Sequence, residues 1–284
     1  MIVIDLQQVM VANLMAQVGK MKKDDVNEDL LRHMILNSVR AANKTYGHKY
    51  GELILACDSR HSWRKDVFPY YKANRKQNRD EETKFDWKLI FESFAKIKEE
   101  IKTFLPYRLI QVDGAEGDDV IATIVNKFGP EGDRILILSG DKDFVQLHQY
   151  LGVEQFDPVR KKVVRKSSPS AYKAEHIIRG DKGDGVPNIL MGDNSLVIKE
   201  RQKPIFDKKI QQWIKMKPED YCDANMLRHW YRNQLVIDLD NVPKELQEKI
   251  LQEYEKEAGK NRKQILNYFI KYRLKNLTET INDF

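Results

Sequence analysis

The sequence predicts an α/β fold: a central, mostly parallel sheet flanked by helices, continued by a C-terminal helical region. Three observations carry this. Short β-branched and leucine-rich runs recur at helix-length separations: Ile2-Val3-Ile4, Leu53-Ile54-Leu55-Ala56-Cys57, Leu109-Ile110-Gln111-Val112 and Ile135-Leu136-Ile137-Leu138. Runs of that kind read as strands buried on both faces, as in parallel sheets. Each run leads into acid: Asp5, Asp58, Glu116-Gly117-Asp118-Asp119 and Asp141-Lys142-Asp143. Beyond about residue 166 the strand pattern gives way to helices.

The elements follow in order. After the first strand, Asp25-Val26-Asn27-Glu28 resembles a capping box and opens a helix with Leu30, Leu31, Met34, Ile35 and Val39 on one face. Gly47 stops it. The second strand ends at Asp58, and residues 60–84 form a polar stretch with no clear core face. A long helix starts near Asp86 and carries Trp87, Ile90, Phe91, Phe94, Ile97 and Ile101. Strand three covers about Tyr107–Val112, a helix runs from Glu116, and strand four ends at Ser139. Strand five is Val153–Phe156, turned by Asp157-Pro158 into a hairpin with Lys162-Val163-Val164. Pro169 suits the first position of a helix reaching Arg179. A glycine-containing stretch, Gly180–Asp193, breaks the pattern. Helices follow near Ile205–Met216, Glu219–Tyr231, Lys244–Glu257 and Asn261–Lys271. The expected division is residues 1–166 as the α/β core and 167–284 as a helical region packed on it.

Composition bounds the function. The chain has 284 residues and is 41% hydrophobic, enough for a sizeable core. No apolar stretch approaches the roughly 20 residues that span a bilayer, and no basic leader precedes an apolar run, so no membrane is expected. Of the two cysteines, Cys57 falls in a buried strand, which argues against a disulfide framework and for a reducing cytoplasm. The six histidines are scattered, without zinc spacing. There is no phosphate-binding glycine-lysine loop and no nucleophile elbow. Net charge is +6, a balance that suits a nucleic-acid partner and also an ordinary basic surface.

Ligands of parallel sheets bind outside the carboxyl ends of the strands, so distant segments deliver carboxylates to one edge. Asp is also a favoured helix N-cap, and any one of Asp5, Asp58, Asp141 or Asp143 taken alone reads more readily as a cap. Taken together, with a further cluster at Asp181-Lys182-Gly183-Asp184, they exceed what caps need. So many like charges repel unless cations neutralise them, and clustered oxygens suit Mg²⁺ or Mn²⁺. Their number favours two ions, the pair that serves in-line phosphoryl displacement.

Residues 60–79 hold seven Lys/Arg and one Asp, with Trp63, Phe68, Tyr70 and Tyr71 interleaved. Cations meet phosphates and rings stack on bases in single-strand binding. Trp63 and Phe68 read equally well as core residues. Asp58 followed by Trp63-Arg64 and Tyr71-Lys72-Ala73-Asn74-Arg75 resembles the flap-endonuclease or 5′-nuclease superfamily, where this stretch forms a helical arch. Glu116-Gly117-Asp118-Asp119, Ser139-Gly140-Asp141-Lys142-Asp143-Phe144-Val145-Gln146-Leu147 and Gly180-Asp181-Lys182-Gly183-Asp184-Gly185-Val186-Pro187 are similar to its further motifs. Asn233-Gln234-Leu235-Val236-Ile237-Asp238 and Ile281-Asn282-Asp283-Phe284 resemble the bacteriophage ribonuclease H branch.

The resemblance implies a PIN/5′-nuclease-like fold with a helical arch at 60–84. It also implies a 5′-3′ exonuclease and flap endonuclease with ribonuclease H activity, removing primers and flaps in replication. Asp5, Asp58, Glu116, Asp118 and Asp141 would surround one Mg²⁺ and Asp143, Asp181 and Asp184 the other, with Mn²⁺ able to substitute. Asp119 stands outside both sets because the helix register can turn it away. Lys72 and Arg75 would bind or polarise the scissile phosphate, and Arg64, Tyr71 and Lys76 would contact the strand. The family's glycine-lysine duplex grip is missing after Pro187, so that role passes to Lys199, Arg201 and Lys203. Expected partners are flapped, nicked or gapped duplex DNA and RNA–DNA hybrid, with a replication clamp or single-strand-binding protein beside a monomeric enzyme, in a host cytoplasm if phage-encoded. A PIN-type endoribonuclease and a non-catalytic DNA-junction-binding protein are the rival readings.

Overall fold

A computed structural model describes residues 1–18, 26–75 and 86–284. Strands β1 (Ile2–Asp5), β2 (Leu53–Ala56), β3 (Arg108–Ile110), β4 (Ile135–Leu138), β5 (Val153–Asp157) and β6 (Lys162–Val163) form one sheet. The order is β3-β2-β1-β4-β5-β6. The first five pair in parallel, with Ile2 opposite both Leu53 and Leu136, and β6 closes the edge as an antiparallel hairpin with β5. The chain thus builds outward from β1 in both directions. The carboxyl ends of β1 and β4 flank the reversal, the switch point where such sheets bind ligands.

Helix α1 (Leu6–Val18) follows β1 directly. The sequence reading assigns no helix there, because Leu6, Val9, Met10, Val11, Leu14 and Met15 leave no polar face to reveal a period. α2 (Glu28–Tyr50) is capped by Asn27, whose side chain accepts the Leu30 N–H at 3.0 Å. It runs through Gly47 and ends at Gly51, the glycine that adopts positive φ. The expected capping box begins at Asp25, which lies outside the described residues. After α3 (Arg64–Val67) come α4 (Trp87–Phe104) and α5 (Gly117–Phe128), then α6 (Pro169–Arg179) with Pro169 at its start. α7 (Asp207–Trp213) precedes α8 (Ala224–Ile237), which starts later than expected because Pro218–Asp220 forms a separate 3₁₀ turn and Asp223 is the cap. α9 (Lys244–Lys256), α10 (Ile265–Lys271) and α11 (Lys275–Thr278) finish the chain.

One core packs Ile2, Ile4, Leu55 and Leu138 against α1, α2 and α4, and C-terminal Tyr268, Phe269, Leu277 and Phe284 complete it. The opposite face of the sheet packs Val3, Ile54 and Ile137 against α5 and against Leu246, Ile250 and Tyr254 of α9. The last quarter of the chain therefore closes both faces of the sheet. α6, α7 and α8 build two smaller clusters. One of them, Phe68, Tyr71, Ile177, Val186, Val236 and Ile237, fastens the segment after β2 to α6 and α8. This corrects the expectation for residues 60–75: Trp63, Phe68 and Tyr71 are buried anchors, scattered too irregularly along a short helix and turns to show as a face.

Candidate metal centre

Four of the expected carboxylates, Asp5, Asp58, Asp141 and Asp181, are each held by a backbone N–H. Asp5 Oδ1 accepts the Gln8 N–H at 3.0 Å, capping α1, while Oδ2 accepts from Ser139 Oγ at 3.2 Å. Asp58 Oδ1 accepts the Gly117 N–H at 2.7 Å, at the start of α5. The Asp141 N–H donates to Ser139 Oγ at 3.0 Å, and Asp141 Oδ1 accepts the Asp143 N–H at 2.9 Å. Asp181 Oδ1 accepts the Asp184 N–H at 2.9 Å in the loop after α6. That loop presses on residues 70–75: Lys72 N–H donates to the Asp184 carbonyl at 2.7 Å. Gly185 permits the approach, since it has φ +74° and a Cβ would stand 2.9 Å from the Tyr70 carbonyl oxygen.

Two adjoining cavities open at this edge. The first, about 420 Å³, is lined by Asp5, Asp58, Asp118 and Asp141, with Lys72, Arg75 and Asp184 facing them. The second, about 510 Å³, is lined by Asp141, Asp143 and Asp181 together with Tyr172 and His176. Asp141 belongs to both.

Their electrostatics differ. Burial, reinforced by Asp58 and Asp141, pushes the Asp5 carboxyl up to about 7. Burial and the charge of Asp143 push Asp141 up to about 6, and burial with Asp141 drives Asp118 well above its ordinary value. In the second cavity burial would raise Asp181, but His176 and the Asp184 N–H outweigh it and hold it at about 2. Burial would lower His176, yet the neighbouring carboxylates of Asp143 and Asp181 raise it to about 10. Buried carboxylates that lift one another's pKa are what divalent cations offset, and the oxygen-rich donor sets suit hard ions. The residues present fit a divalent ion: Asp143, His176 and Asp181 each bring a ligand atom within 4.8 Å of the others.

Several side chains are placed otherwise than expected. Glu116 lines neither cavity: Oε1 meets Lys72 Nζ at 2.6 Å, and Oε2 lies 3.1 Å from Arg64 and 3.0 Å from the Tyr71 hydroxyl. Burial would raise its pKa, but Lys72 and Arg64 hold it below the ordinary value. Asp184 borders the first cavity rather than the second, drawn there by Arg75 and by the Tyr71 hydroxyl at 2.8 Å. Arg64, 2% exposed, ties Asp119 at 2.8 Å and the Val236 carbonyl at 2.8 Å, so it is not placed to meet a strand. Tyr71, 3% exposed, is likewise committed to carboxylates. Asp119 is sealed behind Arg64 and the Trp63 indole N–H, as its helix register allows. Lys199, Arg201 and Lys203 are exposed beyond the loop and line neither cavity. Lys76 and the rest of 76–84 lie outside the described residues. Sequence reasoning missed Tyr172 and His176. The available signal was a histidine on the last turn before the Gly180-Asp181 break.

A parallel sheet whose carboxyl edge gathers carboxylates from five segments, with two cations across from them, defines the core of a metal-dependent phosphodiesterase. The family model for the 5′-3′ exonuclease N-terminal resolvase-like domain matches residues 1–179, and that for the T4 RNase H C-terminal region matches residues 168–284. The ribonuclease H of Enterobacteria phage T4 is 34% identical over 99% of this chain and 94% of its own. DNA polymerase I of Mycobacterium tuberculosis is 32% identical over 46% of this chain and 15% of its own. A solved structure of the T5 5′-exonuclease with zinc superposes with a TM-score of 0.62 at 17% identity, covering 91% of this chain and 99% of that one. The chain belongs to the 5′-3′ exonuclease family, in the branch with phage ribonuclease H, and is a phosphodiester hydrolase.

Proposed function

We propose that this nuclease acts on 5′ ends in flapped, nicked or gapped duplex DNA and in RNA–DNA hybrid, removing primers and flaps during replication with two Mg²⁺ ions, for which Mn²⁺ can substitute. The observation that carries this is the meeting of Asp5, Asp58, Asp118 and Asp141 with Lys72 and Arg75 around one cavity. The phage relative named ribonuclease H, matched along nearly its whole length, supports the hybrid substrate. A T5 flap endonuclease solved as a product complex with DNA and metal ions shares the fold and supports the flap substrate.

Divalent ions, when bound, supply charge neutralisation for an in-line displacement at phosphorus. The remaining work falls to side chains. Asp5, Asp58, Asp118 and Asp141 would hold one ion, and Asp141, Asp143 and Asp181 the other, with Asp184 at the border. Lys72 and Arg75 stand paired with Glu116 and Asp184. An arriving phosphate would draw them away, exchanging a carboxylate partner for the scissile group. Arg64 and Tyr71 would position Glu116 and Asp184 rather than touch substrate. Lys199, Arg201 and Lys203, on exposed chain within the helical region 167–284, would meet the duplex backbone. The enzyme would work as a monomer in the cytoplasm of a phage's host, beside a replication clamp or single-strand-binding protein.

Cleavage of 5′-labelled flap, nicked and hybrid substrates, with and without EDTA, tests the reading. Metal-dependent release of short 5′ products supports it; binding without cleavage in Mg²⁺ leaves a junction-binding protein.

A further inference from the structure

His176 occupies the second cavity with no role in the reading so far. It sits on the last turn of α6, just before the helix ends at Gly180, whose N–H bonds to the His176 carbonyl at 2.8 Å. Tyr172, one turn earlier, packs edge-on against the ring with centroids 5.7 Å apart. Tyr172 thus supports one side of the ring. Nε2 lies 3.2 Å from Asp181 Oδ2. Because a carboxylate only accepts, Nε2 carries the hydrogen of that bond.

The other nitrogen is the informative one. Nδ1 is sealed from solvent and has no hydrogen-bond partner. It nevertheless stands 3.1 Å from Asp143 Oδ1. When the ring gives up its Nδ1 proton, the form in which imidazole binds metal, Nδ1 and Asp143 Oδ1 turn two lone pairs toward the same space, where one cation can take both. A spacing near 3 Å is also the edge of a coordination octahedron with bonds of about 2.1 Å. Asp143, His176 and Asp181 offer one ligand atom each within 4.8 Å of one another. The Asp181 contact supplies what ligating histidines ordinarily have, a carboxylate on the far nitrogen that fixes tautomer and ring orientation.

We infer that His176 is a direct ligand, through Nδ1, of the ion in the second cavity, which makes that position a mixed nitrogen–oxygen site beside an all-oxygen one. The inference rests on the metal-dependent reading above. Imidazole suits Mn²⁺, Co²⁺ and Zn²⁺ better than Mg²⁺, along the usual affinity order for divalent ions. The two positions should then differ in preference: the first tolerates Mg²⁺ as readily as any hard site, and the second favours a transition ion.

The test uses Mn²⁺ alone, added to the full-length protein without substrate and followed by pulsed electron paramagnetic resonance. Nitrogen coupling to bound Mn²⁺ is expected in the wild type, and the pattern should change when histidine is supplied as ¹⁵N. It should vanish in His176→Gln and persist in Asp5→Asn, since Asp5 lines only the first cavity. Calorimetry should show His176→Gln losing roughly tenfold or more in affinity for one Mn²⁺ and much less for Mg²⁺. Two bound Mn²⁺ with no nitrogen coupling in the wild type would overturn the inference and leave His176 as a cation bridging two carboxylates. In that event, cleavage that still requires metal keeps the nuclease reading intact. Failure of the wild type to bind Mn²⁺ or to cleave with metal would remove both.

Discussion

The two cavities share Asp141 and are otherwise opposites. In the first, Asp5, Asp118 and Asp141 all have raised pKa values from burial and mutual repulsion, while the nearest cations are turned toward Glu116 and Asp184. In the second, Asp181 sits at about 2 because His176 compensates it. One half of the centre thus stores repulsion that a bound cation would relieve, and the other is already balanced by a side chain. On the two-ion proposal, the first half would supply the stronger drive for ion binding and the second would govern which ion is taken.

The sharpest way to break the comparison is to empty the first half of one charge. Asp118→Asn should lower cleavage on the order of a thousandfold or more, since an ion's charge stabilisation is worth several kcal/mol. Substrate binding should persist, because the basic surface is untouched and some repulsion is relieved. Single-turnover cleavage and a binding isotherm on one flap substrate check both. Wild-type turnover in Mg²⁺ would remove Asp118 from the ligand set.

Next in size is Lys72→Ala. Lys72 Nζ is 2.6 Å from Glu116 and 3.6 Å from Asp184, and its backbone adopts φ 54° to reach that position. Donors aimed at developing charge are worth about 2.7–4 kcal/mol. The single-turnover rate at saturating enzyme should fall by roughly two to three orders of magnitude, with affinity changing far less. Loss of affinity at an unchanged maximal rate would make Lys72 a backbone contact.

The strand ends and their acids were legible because a parallel sheet buries continuous apolar runs and because its topology forces their carboxyl ends to one edge. Asp5 and Asp58 show that reading an acid as a cap or as a site residue poses no choice: each has an oxygen on a backbone N–H while lining the cavity. What stayed hidden depends on long-range packing. Arg64 and Tyr71 belong to a basic aromatic string that suggests a binding surface, yet tertiary contacts with Asp119, Glu116 and Val236 take them inside. Glu116 and Asp184 could be recognised as site acids, but their turn toward Lys72, Tyr71 and Arg75 depends on how the 181–187 loop docks. His176 was masked by the absence of any cysteine–histidine spacing, since its partners come from two other segments. α1 escaped notice because a helix apolar on nearly every side carries no period.

A smaller effect should separate catalysis from grip. Replacing Lys199, Arg201 and Lys203 together by neutral residues should weaken duplex affinity and flatten its salt dependence by up to about 0.9 per lost phosphate contact. The maximal single-turnover rate should stay near the wild-type value. Affinity measured across a salt series decides the matter: an unchanged slope would show that these cations meet no phosphate.

The smallest expected effect, and the one that tests the contrast most directly, is on stability without metal. A carboxyl whose folded pKa is raised, such as Asp5 at about 7 or Asp141 at about 6, destabilises the fold when ionised. That strain is relieved as pH falls through the folded value toward the unfolded one near 3.8. His176, raised to about 10, acts in the same direction: its contribution is complete below 6.5 and is lost as pH climbs through 10. Metal-free protein should therefore melt at higher temperature at about pH 5.5 than at about pH 8.5. Mg²⁺ should stabilise it more at the alkaline end, where the first cavity is ionised. Asp5→Asn should raise the metal-free melting temperature by a few degrees near pH 8.5 and flatten the slope. Asp181→Asn should lower it at both pH values, because the lowered pKa of Asp181 makes its charge stabilising everywhere above about 3.8. Opposite signs for two aspartates lining adjoining cavities would establish that one half of the centre is strained and the other balanced. Equal signs would mean that the charges of the whole edge act as one.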